Sequence, residues 1–188
     1  MVIKSPVHFQ FDACDPYERV KSGIRYFVGE NAVWLPAYDE VVAWLSDNKG
    51  RGLLCVGSCG LGKSVVCAGV LPILLRDYIG LQVKIVTATG MNQRIDELLK
   101  FCGQNQVIVI DDLGKEPVKV YGRSPFYELC DAAERTGTLL IISTNLSTTP
   151  VNDPRYPDSI RVRYGAAVIS RLRSITKVVV VEGQDMRV

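Results

Sequence analysis

Residues Gly57-Ser58-Cys59-Gly60-Leu61-Gly62-Lys63-Ser64 follow a short apolar run, Gly52 to Val56, and lead into Val65-Val66-Cys67-Ala68. The spacing is G-x-x-x-x-G-K-S, and each residue type in it has a chemical use. Glycines let the backbone curl until several amides aim at one phosphate, and a helix that starts there adds its positive end. Lys63 can reach β and γ phosphates, and Ser64 offers a hydroxyl to Mg²⁺. The candidate nucleotide-binding residues are therefore Gly57, Ser58, Cys59, Gly60, Leu61, Gly62, Lys63, Ser64 and Val65.

A phosphate cradle needs a carboxylate for its metal ion at the end of a neighbouring buried strand. Gln106-Val107-Ile108-Val109-Ile110-Asp111-Asp112 has that form. Its apolar residues aim both acids at the strand's carboxyl end, where open α/β sheets place their ligands. Asp111 is the candidate metal ligand, directly or through water, and Asp112 is placed to polarise an attacking water. Two carboxylates in adjacent roles suit hydrolysis better than transfer to a second substrate. Another apolar run ends in Ile141-Ile142-Ser143-Thr144-Asn145, and a polar residue at that tip could bond a γ-phosphate or orient water. Asn145 is the choice over Thr144, although Thr-Asn after a strand is also ordinary turn chemistry. Guanine-specific P-loop proteins carry an Asn-Lys-x-Asp loop. The one Asn-Lys pair here, in Asn48-Lys49-Gly50-Arg51, lacks the acid and precedes the glycine loop, so ATP is the expected nucleotide.

The elements that must position these residues follow from hydrophobic pattern. Five apolar, β-branched runs recur: Leu53 to Val56, Val83 to Val86, Val107 to Ile110, Leu139 to Ile142 and Ile175 to Val181. Continuous rather than alternating runs suit strands covered on both faces, and helical stretches between them give a βαβ rhythm and a parallel three-layer α/β sheet. Lys63 to Tyr78 reads as a helix stopping near Gly80, with Pro72 removing one donor and kinking it. Asn92 to Phe101 reads as a second helix stopped by Gly103. Ser124 to Thr136 opens on Ser-Pro, an N-cap followed by proline at the first helical position, and ends before Gly137. Ser147 to Asp158, with three prolines, reads as a loop, and Ser159 to Arg173 as a helix with a break at Gly165. Shorter helices are expected over Pro16 to Tyr26 and Ala37 to Asp47.

Composition narrows the class. A chain of 188 residues with 47% apolar and 22% charged content is long enough for one domain with a full core. A net charge of +2 does not by itself imply a polyanion partner, but Arg155, Arg161, Arg163, Arg171, Arg173 and Arg187 crowd the last fifth of the chain. No apolar stretch approaches the length of a membrane span and the N-terminus lacks a signal-peptide core, so a cytoplasmic protein is expected. Six cysteines without a C-x-x-C pair, and one histidine, argue against a zinc module. Cys55, Cys67 and Cys130 read as buried hydrophobes; Cys59, in the glycine loop, is the one with redox potential.

Taken in order, GSCGLGKS, VIVIDDLGKE, LLIISTNLS, RYGAAVISRLRS and VVVVEGQDMR resemble the AAA+ ATPases of the DnaC/DnaI helicase-loader and IstB transposition-helper group. The resemblance runs from Tyr38 to the C-terminus, leaving residues 1–37 as an N-terminal extension and 38–188 as the ATPase domain. It implies an ASCE-type P-loop NTPase core with a sheet order of 5-1-4-3-2 and no C-terminal helical lid. It further implies Asp111 and Asp112 as Walker B metal ligand and catalytic acid, and Asn145 as sensor. In that group the Ser-Arg-Leu element, here Ser170-Arg171-Leu172, carries an arginine that reaches the ATP of the next subunit. An arginine fork there can offset charge developing on the transferred phosphoryl group. Arg163 is the substitute candidate, and a solvated basic helix face is the plain alternative.

The resemblance implies ATP and Mg²⁺ as cofactors and self-association with Arg171 acting in trans. Single- or double-stranded DNA and a replicative helicase or transposase are the implied partners. Group members touch DNA through a segment corresponding to Thr87 to Arg94, where Lys84 and Arg94 are the nearby cations; such a groove could hold a phosphate backbone without reading bases. The N-terminal extension is too short, and too poor in Cys and His, for the partner-binding domain usual in helicase loaders. Two other readings use the same P-loop: a small-molecule kinase with Pro150 to Arg163 as a lid, and a slowly hydrolysing nucleotide-gated adaptor.

Overall fold

The structure, a computed structural model, describes residues 6–11, 15–148, 159–183 and 185. Five strands form one parallel sheet: β1 (Gly52–Val56), β2 (Gln82–Thr87), β3 (Gln106–Leu113), β4 (Leu139–Thr144) and β5 (Thr176–Val180). Their order across the sheet is β2-β3-β4-β1-β5, which is the expected 5-1-4-3-2 read from the other edge. All five expected runs are strands; in the central β1, β3 and β4 alternate residues serve opposite layers, whereas the edge strands β2 and β5 leave Ile85 and Val180 exposed. Leu53, Cys55, Val107, Val109, Leu139, Ile141 and Val179 enter one core; Leu54, Val56, Ile108, Ile110, Leu140 and Ile142 enter the other.

The first core lies under α1 (Pro16–Val28), α2 (Ala37–Ser46), a π-helical stretch (Val65–Val70) and α3 (Leu71–Ile79). A chain that widens to the π form just before Pro72 relieves the clash between the proline ring and the preceding turn, so the expected kink takes the form of a π segment. Gly80 stops the helix in the left-handed conformation. Close crossing of α1 over the π segment uses Gly23, where an added Cβ would meet Val70 Cγ1 at 2.6 Å. Phe9, Phe11, Val20 and Ile24 of the N-terminal region are buried in this same core.

The second core lies under α4 (Ala88–Gln93), α5 (Ile95–Phe101), α6 (Pro125–Thr136), α7 (Ile160–Tyr164) and α8 (Ala166–Ile175). The helix expected over Asn92 to Phe101 is two helices. Thr87 ends β2 and caps α4 by accepting from the Gly90 amide, so helix starts directly at the strand's tip, and the chain breaks at Arg94 (φ −116°) before α5. Ser124 precedes α6 as expected but makes no side-chain cap bond; Pro125 at the first position and left-handed Gly137 at the end bound the helix. Gly165 (φ 92°) separates α7 from α8, the break anticipated in the sequence. Most of the expected loop Ser147 to Asp158 lies outside the described residues, as do Cys14, Arg155 and Arg187. Among the described residues no helix is long and apolar enough to cross a membrane.

Candidate functional site

Strand register brings the chemistry together. Val56 of β1 lies beside Thr144 of β4 and Val180 of β5, and Thr87 of β2 beside Asp111 of β3, so four segments with polar tips end on one edge of the sheet. The glycine loop leaves β1 there and is held by a bond from the Gly57 amide to the Thr144 carbonyl (3.2 Å). Three of its glycines are required by geometry. A Cβ on Gly57 would sit 2.2 Å from the Val181 carbonyl oxygen, and Gly60 (φ 79°) and Gly62 (φ 70°) adopt the left-handed conformation. A Cβ on Gly60 would also strike the Asp185 carboxylate.

A cavity of about 190 Å³ opens over this loop, lined by Cys59, Gly60, Leu61, Gly62, Lys63, Ser64 and Val65, by Asp112 and Lys115 from β3 and the turn after it, by Asn145 after β4, and by Val28 at the end of α1. Lys63 is only 7% exposed and its Nζ donates to the Ser58 carbonyl at 2.7 Å, folding the side chain back over the loop. Burial depresses its pKa, and the thiols of Cys59 and Cys67 and the Asp112 carboxylate oppose that shift. Tyr38 of α2 donates to the Leu61 carbonyl at 3.0 Å and so fixes the loop from behind. Cys55 and Cys67 are buried beneath it, and the Cys67 thiol is held protonated by its bond with Cys55 and by burial. Cys59 is exposed, and its Sγ accepts from Asn145 Nδ2 at 3.1 Å.

The acidic pair is set by a bulge. Pairing of β3 with β4 slips between Ile110 and Leu113, and Asp112 takes φ 58°, an uncommon conformation for a residue other than glycine. Ser143 holds both acids: its hydroxyl donates to Asp111 Oδ1 at 2.5 Å and accepts from the Asp112 amide at 3.0 Å. Asp112 faces the cavity and bonds Lys115 Nζ through Oδ2 at 2.8 Å; Asp111 sits one residue back, outside the lining. Thr144 is buried, its hydroxyl donating to the Leu113 carbonyl at 2.7 Å and accepting from the Leu146 amide at 3.0 Å. Asn145, by contrast, lines the cavity with its Oδ1 buried and without a hydrogen-bond partner among the described residues.

Hard oxygen donors suit Mg²⁺, which takes one or two protein ligands and fills its octahedron with water and phosphate oxygens. The Ser64 hydroxyl and the carboxylates of Asp111 and Asp112 are such donors. Among the described residues no group of three or more His, Cys, Asp and Glu side chains converges on a metal position, so a cation here would rest on the pair of acids and the Ser64 hydroxyl.

Arg171 does not line this cavity. Its guanidinium bonds Asp131 (2.9 Å) and Glu134 (3.0 Å) of α6 and lies 4.7 Å from the Tyr127 ring centroid. Arg163 donates to the backbone carbonyl of Glu116. The cations expected beside Thr87 to Arg94 are also engaged: Lys84 and Arg94 both bond Glu97, whose carboxyl they hold down at about 2. A second cavity, about 440 Å³, lies over that segment, lined by Thr89, Asn92, Gln93 and Asp96 on one side and by Pro117, Val120, Tyr121 and Arg123 on the other.

Several residues of the site were given no role by motif. Lys115 and Glu116 stand within the VIVIDDLGKE stretch, three and four residues past Asp112, and could have been flagged by that position. Glu116 is 1% exposed and accepts from the Gly114 amide at 2.9 Å and from the Tyr164 hydroxyl, tying the turn after β3 to α7. Ser143 was legible only as a polar residue at the end of an apolar run. Val28, Tyr38 and the fully exposed Tyr121 carried no sequence signal.

No protein-family model and no curated relative matches the sequence. Among solved structures the chain is similar to the DnaC helicase loader (22% identity, 92% of this chain and 96% of that one, TM-score 0.56). It is also similar to DnaI (17% identity, 94% and 87%, TM-score 0.54) and to the replication initiator DnaA bound to AMPPCP and single-stranded DNA (17% identity, 92% and 52%, TM-score 0.56). Sheet order, the glycine loop on β1 and the acids on β3 agree with that likeness: the chain has a P-loop NTPase fold, similar to that of the solved DnaC helicase loader and of DnaI.

Proposed function

We propose that this chain binds and hydrolyses ATP with Mg²⁺, as a DnaC/IstB-like AAA+ protein that assembles on DNA in replication, as a helicase loader, or in transposition. The observation that carries the reading is the convergence of Lys63 and Ser64 with Asp112 and Asn145, from three different strand ends, on one cavity. In this reading the amides of Gly57 to Val65 cradle the phosphates and Lys63 moves from the Ser58 carbonyl to the β and γ phosphates. Ser64 and Asp111 hold Mg²⁺, whose charge when bound offsets that of the phosphoryl oxygens. Asp112 accepts a proton from the attacking water, which Asn145 orients from the same cavity wall. Arg171 completes the site of a neighbouring subunit, after leaving Asp131 and Glu134.

DNA contact is proposed at the second cavity. Thr89, Asn92 and Gln93 supply polar groups there, and Tyr121, wholly exposed on a tight turn with φ 50° at its own position and 78° at Gly122, offers a ring on which a base can stack. With Lys84 and Arg94 engaged by Glu97, stacking and hydrogen bonding rather than a basic groove would dominate.

The test is nucleotide binding and turnover in three proteins. Wild type should bind Mg-ATP and hydrolyse it faster with single-stranded DNA, Lys63→Ala should lose binding, and Asp112→Asn should bind but turn over at most about 1% as fast. Unchanged ATP affinity in Lys63→Ala would remove the phosphate-cradle reading. Turnover indifferent to DNA would favour the kinase or adaptor readings.

A further inference from the structure

Lys115 lies three residues past Asp112 and lines the cavity that holds Lys63. The lining therefore carries two cations, Lys63 and Lys115, against one carboxylate, Asp112. The two lysines are held very differently. Lys63 is buried and rests on a loop carbonyl, whereas the Lys115 side chain is 65% exposed and is tied by its ion pair to Asp112, itself 40% exposed. An ion pair that open to water holds weakly, and the lysine stem is long and flexible. Asp112 has no such freedom: the bulge and the left-handed backbone aim it, and Ser143 fixes its amide. One of its two oxygens is occupied by Lys115.

We propose that Lys115 is a second phosphate-contacting residue, which leaves Asp112 for the γ-phosphate of a nucleoside triphosphate and so lets this chain distinguish triphosphate from diphosphate. The inference rests on the reading of the cavity as the ATP site. A terminal phosphate offers Lys115 more charge and more acceptor oxygens than a single carboxylate does. The same movement uncovers Asp112 Oδ2 beside the position of the attacking water. With a diphosphate the terminal group is missing, Lys115 stays on Asp112, and the carboxylate stays covered. Lys115 thus couples recognition of the third phosphate to exposure of the group that activates water.

Equilibrium binding of Mg-ADP and of a non-hydrolysable Mg-ATP analogue to wild type, Lys115→Met and Lys115→Arg tests this without relying on turnover. Methionine keeps the stem and removes the charge; arginine keeps the charge. Loss of one charge-assisted contact predicts triphosphate affinity about tenfold weaker in Lys115→Met, diphosphate affinity within about twofold of wild type, and recovery of most of the difference in Lys115→Arg. Equal affinity changes for both nucleotides, or none in a variant that unfolds at the wild-type temperature, would overturn the proposal and leave Lys115 as a brace for the turn after β3. Wild type that binds neither nucleotide would bring down the ATP reading itself, an outcome distinct from binding that Lys115 does not influence.

Discussion

The phenol of Tyr38 is 2% exposed, and its pKa is pushed up to about 12, chiefly by burial. Its hydroxyl donates to the Leu61 carbonyl inside the glycine loop, so a residue of the preceding helix fixes the loop's curvature. Removing that hydroxyl leaves a buried carbonyl without its donor; Tyr38→Phe should cost about 1–3 kcal/mol in urea unfolding and weaken nucleotide binding as well. The sign of the pH effect follows from the raised value. The folded state keeps the proton that the unfolded state loses near pH 10, so this contribution is complete below pH 10 and disappears as pH rises from 10 to about 12. In Tyr38→Phe that part of the alkaline limb should be missing, and an unchanged limb would assign it to other groups. The glycine loop and the acidic pair were legible at this scale because their pattern depends on near neighbours in sequence. Tyr38, 23 positions from its partner, was not.

Elements explain why the loop can be where it is. Parallel pairing of β1 with both β4 and β5 seats Gly57 against the Val181 backbone, with no room for a methyl group. Gly57→Ala should therefore separate the ends of β1 and β5 and destabilise the protein by about 1–3 kcal/mol, the usual cost of overpacking, measured by thermal or urea unfolding. A variant as stable as wild type would show that the strand ends yield without loss. The central strands β1, β3 and β4 were readable from sequence because burial on both faces leaves long apolar runs, and the edge strands β2 and β5 because their β-branched cores, Val83 to Val86 and Val178 to Val180, stand out even though part of each is exposed. Helix boundaries were less so: nothing local in Thr87-Ala88-Thr89-Gly90 announces a helix, which forms because Thr87 caps it and the second core accepts Ala88 and Met91. Likewise the bulge that aims Asp112 arises from β3 meeting β4, not from the residues of β3 alone.

At the scale of the molecule, the candidate finger is the part least complete within one chain. Arg171 is held by Asp131, Glu134 and the Tyr127 ring, and its side chain is 24% exposed, so a role in trans requires that a neighbour's phosphates draw it away. If Arg171 acts across an interface, mixing Arg171→Ala with Lys63→Ala should give active pairs, one chain supplying the nucleotide site and the other the guanidinium. Turnover in the mixture should exceed the sum of the two proteins measured alone, and no recovery at any ratio in assemblies shown to mix would end the role. Val28, at the end of α1, lines the same cavity as Lys63, so the N-terminal region takes part in the site's wall.

What sequence alone determined here is local chemistry and layer order: a glycine loop free to curl, acids at the end of a buried strand, and five apolar runs that make one sheet. Those properties reside in adjacent residues, and hydrophobic burial allows few other arrangements of them. Tertiary structure decided which charges are available. Pairing of Lys115 with Asp112, of Lys84 and Arg94 with Glu97, and of Arg171 with Asp131 and Glu134 depends on side chains brought together by strand register and helix packing, and Coulomb attraction acts on that separation in space rather than along the chain.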